Sequence, residues 1–285
     1  MSHIIIRDLV KNYKTSSLKK KDVLREVLQQ AALLGLARHN FFEHAAFYGG
    51  TALRILYQLD RLSEDLDFSL LAPNLRFDFS PYLEGMQKEL ASWGFHVEIQ
   101  KKEKESTILS AFLKGNTLKQ LLAIEEMDER TEIHPEEKIW IKFEIDTDPP
   151  SHFEVETKLI LKPTPFYVLS YQPQDLFAGK MHAILCREWK SRVKGRDWYD
   201  LIWFIKNSIP VHLEHLEKRM IQSGHLQKNA ALTKEMLQDL LKAKIATIDW
   251  SQAKNDVKPF LADPKQLDLW SESFFLDLIK FLKTQ

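Results

Sequence analysis

The chain has one cysteine, nine glycines, no net charge and no long apolar run. Each shortage closes off an option. The lone thiol, Cys186, cannot form an internal disulfide, so the expected setting is a reducing, cytoplasmic one. No uninterrupted apolar stretch approaches the roughly 20 residues that span a bilayer. The opening MSHIIIRDLVKNYK lacks the layout of a signal peptide, and no membrane partner is expected. With 40 Lys+Arg against 40 Asp+Glu, bulk charge does not announce a nucleic-acid binder. A polyanionic partner would have to be met by a local basic patch. Glycine is scarce enough that an adjacent pair, Gly49 and Gly50, needs a reason.

What the chain does have is 44% apolar residues over 285 positions, enough to fill one large core or two modest ones. Residues 20–40 place Val23, Leu24, Val27, Leu28, Ala31 and Leu34 at helical spacing. A helix is predicted from Thr51 to Leu59, beginning just after the glycine pair, and another over 80–92. EDLDFSLL and KIWIKFEIDTDPP alternate with a period of two, as strands do; the second stops at Pro149 and Pro150. FHVEIQKKEKESTILSAFLKG predicts two strands around a charged turn. NTLKQLLAIEE predicts a helix, and HFEVETKLILKPTPFYVLSY two more strands. After Pro173 the periodicity is helical. The expected division is an α/β region over 1–170, with helices over about 1–45, and a helical region over 171–285.

In a strand, successive side chains alternate sides. Asp65 and Asp67 therefore point one way, Leu66 and Phe68 the other. Two carboxylates that close repel each other unless a cation or strong donors lie between them. A hard divalent cation, Mg²⁺ or Mn²⁺, satisfies both through oxygen ligands. The plainer alternative is an amphipathic edge strand with both acids in water. Against it stand the apolar neighbours, the glycine pair upstream and a second acidic strand. On that strand Lys142, Glu144 and Asp146 share one face, Ile141, Phe143 and Ile145 the other; Glu144 and Asp146 both qualify as a third acid. Gly49 and Gly50 at a helix start suit a phosphate, because exposed amides bind it and glycine lets the backbone approach. A phosphate cradle, an Asp-x-Asp pair and a third carboxylate form the arrangement expected of nucleotidyl transfer, whose developing charge is stabilised electrostatically.

GGTALR, then RLSEDLDFSL, KFEI, DLFAGKMHAILCR and KGRDWYDL, resemble the AbiEii-like nucleotidyltransferase toxins of type IV toxin–antitoxin systems, from about Tyr48 to Phe204. The resemblance implies an α+β fold. A DNA polymerase β-like nucleotidyltransferase domain, a mixed sheet with flanking helices, is followed by a helical C-terminal domain that contributes to the active cleft. It implies a nucleoside triphosphate with Mg²⁺, transfer of the nucleotide to an acceptor (the 3′ end of tRNA in several relatives), and a cognate antitoxin as partner. Residue by residue, it makes Gly49, Gly50 and Thr51 the phosphate turn, with Gly50 where many relatives carry Ser. It gives Arg54 to nucleotide binding, Asp65, Asp67 and Glu144 to the metal, and Lys180 to the phosphates. Asp197 becomes a cleft residue, either proton acceptor or holder of Lys180. Asp65, Asp67, Lys180 and Asp197 are then the catalytic set.

Read on its own, Lys180 among Phe177, Ala178, Met181 and Ile184 equally suits a buried stem with its head in water. REWKSRVKGRDWYDL gathers Arg187, Lys190, Arg192, Lys194 and Arg196, either as a solvated helix end or as a basic lip for triphosphate or RNA. Asp197 also reads as a helix cap. Asp200, three residues on, shares its face and would orient a neighbouring basic group. Trp189, Trp198, Tyr199 and Trp203 read as core, His182 as an ordinary surface or core histidine, and Arg61 and Ser63 as support for the approach to the acidic pair. Two rivals remain: a non-catalytic nucleotide- or antitoxin-binding module, and a kinase-like phosphoryl transferase.

Overall fold

The computed structural model describes residues 19–102, 106–116, 136–187 and 193–285. The predicted N-terminal segment 1–18, the helix predicted for NTLKQLLAIEE beyond Asn116, and Trp189, Lys190 and Arg192 lie outside the described residues. The chain divides into two compact units. The first takes in Met1–Tyr57, Ser63–Pro149 and Thr157–Ser170; the second takes in Gln58–Leu62, Pro150–Glu156 and Tyr171–Gln285.

The first unit is built from α1 (Lys20–Arg38), β1 (Ala45–Tyr48), α2 (Gly49–Tyr57), β2 (Leu66–Leu70), α3 (Ser80–Ser92), β3 (Glu98–Lys102), β4 (Ile108–Asn116), β5 (Lys138–Asp146), β6 (Val155–Ile160) and β7 (Phe166–Tyr171). Its seven strands form one sheet in the order β3-β4-β5-β2-β1-β7-β6. The sheet is mixed: β1 runs antiparallel to β2 and parallel to β7, β2 parallel to β5, and β4 antiparallel to both β3 and β5. This is the α+β architecture expected. Period-two patterning does its work in β5, where Ile139, Ile141, Phe143 and Ile145 are fully buried and the residues between them are not. Each such side chain contributes about 1.5–3 kcal/mol by leaving water. Helix α1 is buried along almost its whole length, from Val23 to Leu36, and packs on α3. Two boundaries differ from expectation. Helix α2 begins at Gly49 and takes both glycines into its first turn, and Asp65 stands just before β2.

The second unit is helical: α4 (Pro173–Cys186), α5 (Gly195–Lys206), α6 (Leu213–Gln222), α7 (Lys234–Ile245), α8 (Trp250–Val257) and α9 (Glu272–Leu278). Pro173 opens α4, where a missing N–H costs nothing. Side chains of Thr233, Asp249 and Ser271 cap α7, α8 and α9 by accepting from first-turn amides. The core is aromatic: Phe177 stacks on Phe204 and Trp250 on Phe275, each pair at 4.3 Å, with Trp198 edge-on to the latter two. Trp198 and Tyr199 are core as expected, whereas Trp203 is only partly buried. Gly195 has a packing reason: a Cβ there would stand 1.8 Å from the Ala253 carbonyl oxygen on α8. Helix α5 starts at this glycine, with Lys194 at the N-cap position, so Asp197 lies inside the first turn and does not cap the helix. Among the described residues no helix is long and apolar enough to cross a membrane.

Candidate active site

Strand β1 hands the chain directly to Gly49. The backbone there has φ +82°, a left-handed conformation that side chains disfavour. A Cβ on Gly49 would also stand 2.3 Å from Oδ2 of Asp67. The first glycine of the pair thus has two independent causes: the turn it makes and the carboxylate it lies against. The antiparallel register sets Tyr48 across from Asp67 on one side. On the other side, the parallel register of β2 and β5 sets Glu144 beside Asp67 and Asp146 beside Ser69. Adjacent strands lie about 4.8 Å apart, and two residues along a strand span about 6.6 Å. Glu144 is therefore the acid in register with Asp67, and Asp146 lies a further step away. Asp146 has a local task as well: its Oδ1 accepts the Asp148 amide at 3.1 Å. Asp65, Asp67 and Glu144 are all partly buried. Lys142, two residues before Glu144 and on the same face, donates to the Glu144 carboxylate.

Helix α1 braces this arrangement. Gln29, almost fully buried, donates to the carbonyls of Ser63 at 3.1 Å and Glu64 at 3.0 Å. Arg25 approaches the Glu64 carboxylate at 3.6 Å. Arg54 on α2 pairs with Glu26 on α1 at 3.0 Å. The segment before β2 and the helix after the glycine turn are thereby tied to one support. Ser63 serves through its carbonyl, as a supporting residue should. Two of the expected nucleotide-binding residues also have structural partners. The Thr51 side chain is fully buried, and its hydroxyl donates to the Asp65 carbonyl. A hydroxyl has one proton to give, and that of Thr51 goes to this carbonyl. Arg54 meets Glu26 through its Nε and so ties α2 to α1. The supporting roles of Gln29 and Glu26 carried no sequence signal beyond helical periodicity.

In the second unit a separate charge network surrounds Lys180. Its Nζ lies 3.0 Å from Asp197 Oδ1 and 2.8 Å from Asp200 Oδ2. Asp200 in turn receives Arg61 through two parallel bonds, Nε to Oδ1 and Nη2 to Oδ2, both 2.6 Å. Arg61 also donates to the Leu62 carbonyl at 2.9 Å. Arg61 and Asp200 are essentially inaccessible to water, at 2% and 0% exposure. Lys180 does not send its head to solvent; it meets two carboxylates. Burial pushes the Lys180 ammonium toward deprotonation, but Asp197 and Asp200 outweigh this and raise its pKa. Arg61 behaves alike, with Asp200 outweighing burial. Burial would raise Asp197, but Lys180, with Arg187 and Arg61, holds it below the ordinary value. Of the two roles considered for Asp197, the contacts are those of a holder of Lys180, and Asp200 orients both Lys180 and Arg61.

A cavity of about 180 Å³ opens beside this network, its lining including Arg187, Lys194, Asp197, Trp198 and Lys244. Two members of the expected basic lip, Arg187 and Lys194, therefore line a concave surface. Arg196 does not: it pairs with Asp256 at 3.8 Å and lies over the Phe260 ring at 4.2 Å. Lys244 was not foreseen, because it arrives from α7, far along the chain from the motif.

The model of the AbiEii family, described as nucleotidyl transferase AbiEii toxin of a type IV toxin–antitoxin system, matches residues 31–274. Among solved structures, JHP933 from Helicobacter pylori is 20% identical, with TM-score 0.53 over 93% of this chain and 91% of its own. A second H. pylori structure, of a candidate nucleotidyltransferase, is 19% identical, with TM-score 0.53 over 93% of this chain and 94% of its own. The nucleotidyltransferase toxin MenT4 from Mycobacterium tuberculosis is 15% identical, with TM-score 0.47 over 98% of this chain and 99% of its own. No curated protein matches the chain.

Proposed function

The chain belongs to the AbiEii family of nucleotidyltransferase toxins of type IV toxin–antitoxin systems, and from that premise we propose that it transfers a nucleotide from a nucleoside triphosphate to an RNA acceptor, with tRNA the first candidate. The observation that carries the reading is the register of Asp67 beside Glu144, directly against the Gly49 turn. Asp65, Asp67 and Glu144 would hold Mg²⁺ or Mn²⁺; an all-carboxylate donor set fits a hard cation. When bound, that ion supplies Lewis-acid charge at the phosphates. The chain's own groups do the rest. The first-turn amides of Gly50 and Thr51 lack intrahelical acceptors and would bind the triphosphate. Gly49 keeps that turn close to Asp67 without a Cβ between them. Lys180 is assigned to phosphate charge, with Asp197 keeping its ammonium in place. Arg187, Lys194 and Lys244 would take up phosphates of nucleotide or RNA. A cognate antitoxin partner and a cytoplasmic setting belong to the same proposal.

The test is to incubate the protein with each triphosphate, labelled at the α or the γ position, together with Mg²⁺ and total host RNA. Label carried from the α position onto RNA is the expected result. Label from γ alone would make the protein a kinase, and label from neither would make it a binding module.

A further inference from the structure

The second unit holds a cluster of metal-ligating side chains that this reaction does not use. His182 and Cys186 are four residues apart on α4 and so share a face. At about 100° per residue, Lys180 lies on the opposite side of that helix. His225, just beyond α6, reaches the same place, and the ligand atoms of His182, Cys186 and His225 lie within 4.8 Å of one another. Ser223 Oγ stands between the two rings, 2.9 Å from His182 Nε2 and 3.0 Å from His225 Nδ1, with the Met220 carbonyl at 3.2 Å. A hydroxyl has one donor and two acceptor sites. Donating to Met220, it can accept an N–H from each ring. Each ring bonds Ser223 through one nitrogen, and with the ring centroids 6.4 Å apart at least one of those two nitrogens belongs to the cluster, so an ion replaces a serine hydrogen bond there. Cys186 is buried while His225 is exposed, which gives an ion a way in.

We propose that His182, Cys186 and His225 form a site for a borderline-soft divalent cation, zinc foremost, that clips α4 to the turn after α6. Thiolate with two imidazoles suits zinc and not magnesium, which sets this site apart in chemistry from the carboxylates of the sheet. Binding converts the Cys186 thiol to a thiolate and releases its proton to solvent. Bonds of about 2.0–2.3 Å draw the three ligand atoms closer together than they now lie, a movement that rotation of the exposed His225 can supply. Arg219 and Arg187 bear on His182 and oppose a dication there. The new thiolate offsets one charge, so binding is weaker than at a four-ligand structural zinc site.

The test uses full-length, tag-free protein stripped with a chelator and titrated with Co²⁺, then with Zn²⁺ in competition. One equivalent of Co²⁺ should produce a thiolate-to-cobalt charge-transfer band that Zn²⁺ abolishes. Zinc should slow alkylation of Cys186, the chain's single thiol, by more than about tenfold. Cys186→Ser should lose the band, and His225→Ala, at an exposed position, should weaken binding by more than about tenfold while melting like the metal-free wild type. Asp67→Ala should keep the band, so the outcome is independent of the proposed transferase chemistry. Absence of the band at one equivalent, an unchanged alkylation rate in saturating zinc, or full-strength binding by His225→Ala would each overturn the site.

Discussion

In the first unit, acids from two neighbouring strands share one face of the sheet and stay partly exposed, with a glycine turn laid against one of them. In the second, two acids and two bases, largely buried, form a chain of contacts in which Lys180 meets both acids and Asp200 meets both bases. The contrast separates two uses of charge. Crowded acids repel unless a cation or strong donors lie among them, and Lys142 supplies one such donor to Glu144; in the proposed reading a bound cation supplies the rest. A neutral buried network is chiefly architectural: its net contribution is small, but removing one partner strands a charge in a low-dielectric interior. Substitutions at the sheet carboxylates should therefore cost activity at nearly constant stability, and loss of the buried partner of Arg61 should cost stability itself.

The most severe test of that contrast is Asp200→Ala. It leaves Arg61 buried without its two-point partner and should lower the unfolding free energy by about 3–5 kcal/mol in urea denaturation; a loss under 1 kcal/mol would break the comparison. Asp67→Ala should reduce nucleotidyl transfer roughly a thousandfold, about 4 kcal/mol in barrier, yet melt close to the wild type. Full activity would end the site assignment. Glu144→Gln should cost about a hundredfold in activity and Asp146→Asn less than about threefold, because only Glu144 is in register with Asp67. The reverse order in a kinetic assay would move the third acid to Asp146. Gly49→Ala should cost about 1–2 kcal/mol of stability through its left-handed backbone, with a larger loss of activity because its Cβ displaces the Asp67 carboxylate.

The smallest effect is a pH dependence. Burial would raise the Asp197 pKa, but Lys180, with Arg187 and Arg61, leaves it below its ordinary 3.8. A depressed carboxylate pKa contributes stability that is full above the unfolded-state value and is lost as pH falls through the folded one. In Lys180→Met that depression weakens or reverses. The stability gap between wild type and variant should then narrow as pH drops below about 4, as read from denaturation curves at successive pH values. A gap that widens on acidification would show that Asp197 does not draw its stabilisation from Lys180.

Much of the first unit was legible because its signals are local. Alternation in KIWIKFEID and the spacing from Val23 to Leu34 are set by geometry within one element, and they marked β5 and α1 correctly. The supporting role of Ser63 and the link between Asp197 and Lys180 were also anticipated. What the sequence did not show is where single atoms point: the Thr51 hydroxyl meets the Asp65 carbonyl, and Arg54 Nε meets Glu26. Asp197 was considered as a cap, but α5 starts three residues earlier than that, at Gly195, which packs closely on Ala253. His182 looked ordinary because nothing near it in the chain foretells that His225 and Ser223 arrive beside it.

The residues alone determined the period-two strands, the helical second half and the glycine pair at a turn, because each follows from bond geometry over a few neighbours. Only the folded chain decided that Glu144 and not Asp146 lies alongside Asp67, that Arg61 meets Asp200 across 139 positions, and that Lys244 lines the cavity beside Asp197. Strand register and helix docking are settled by burial summed over many distant side chains, and no short window of sequence contains that sum.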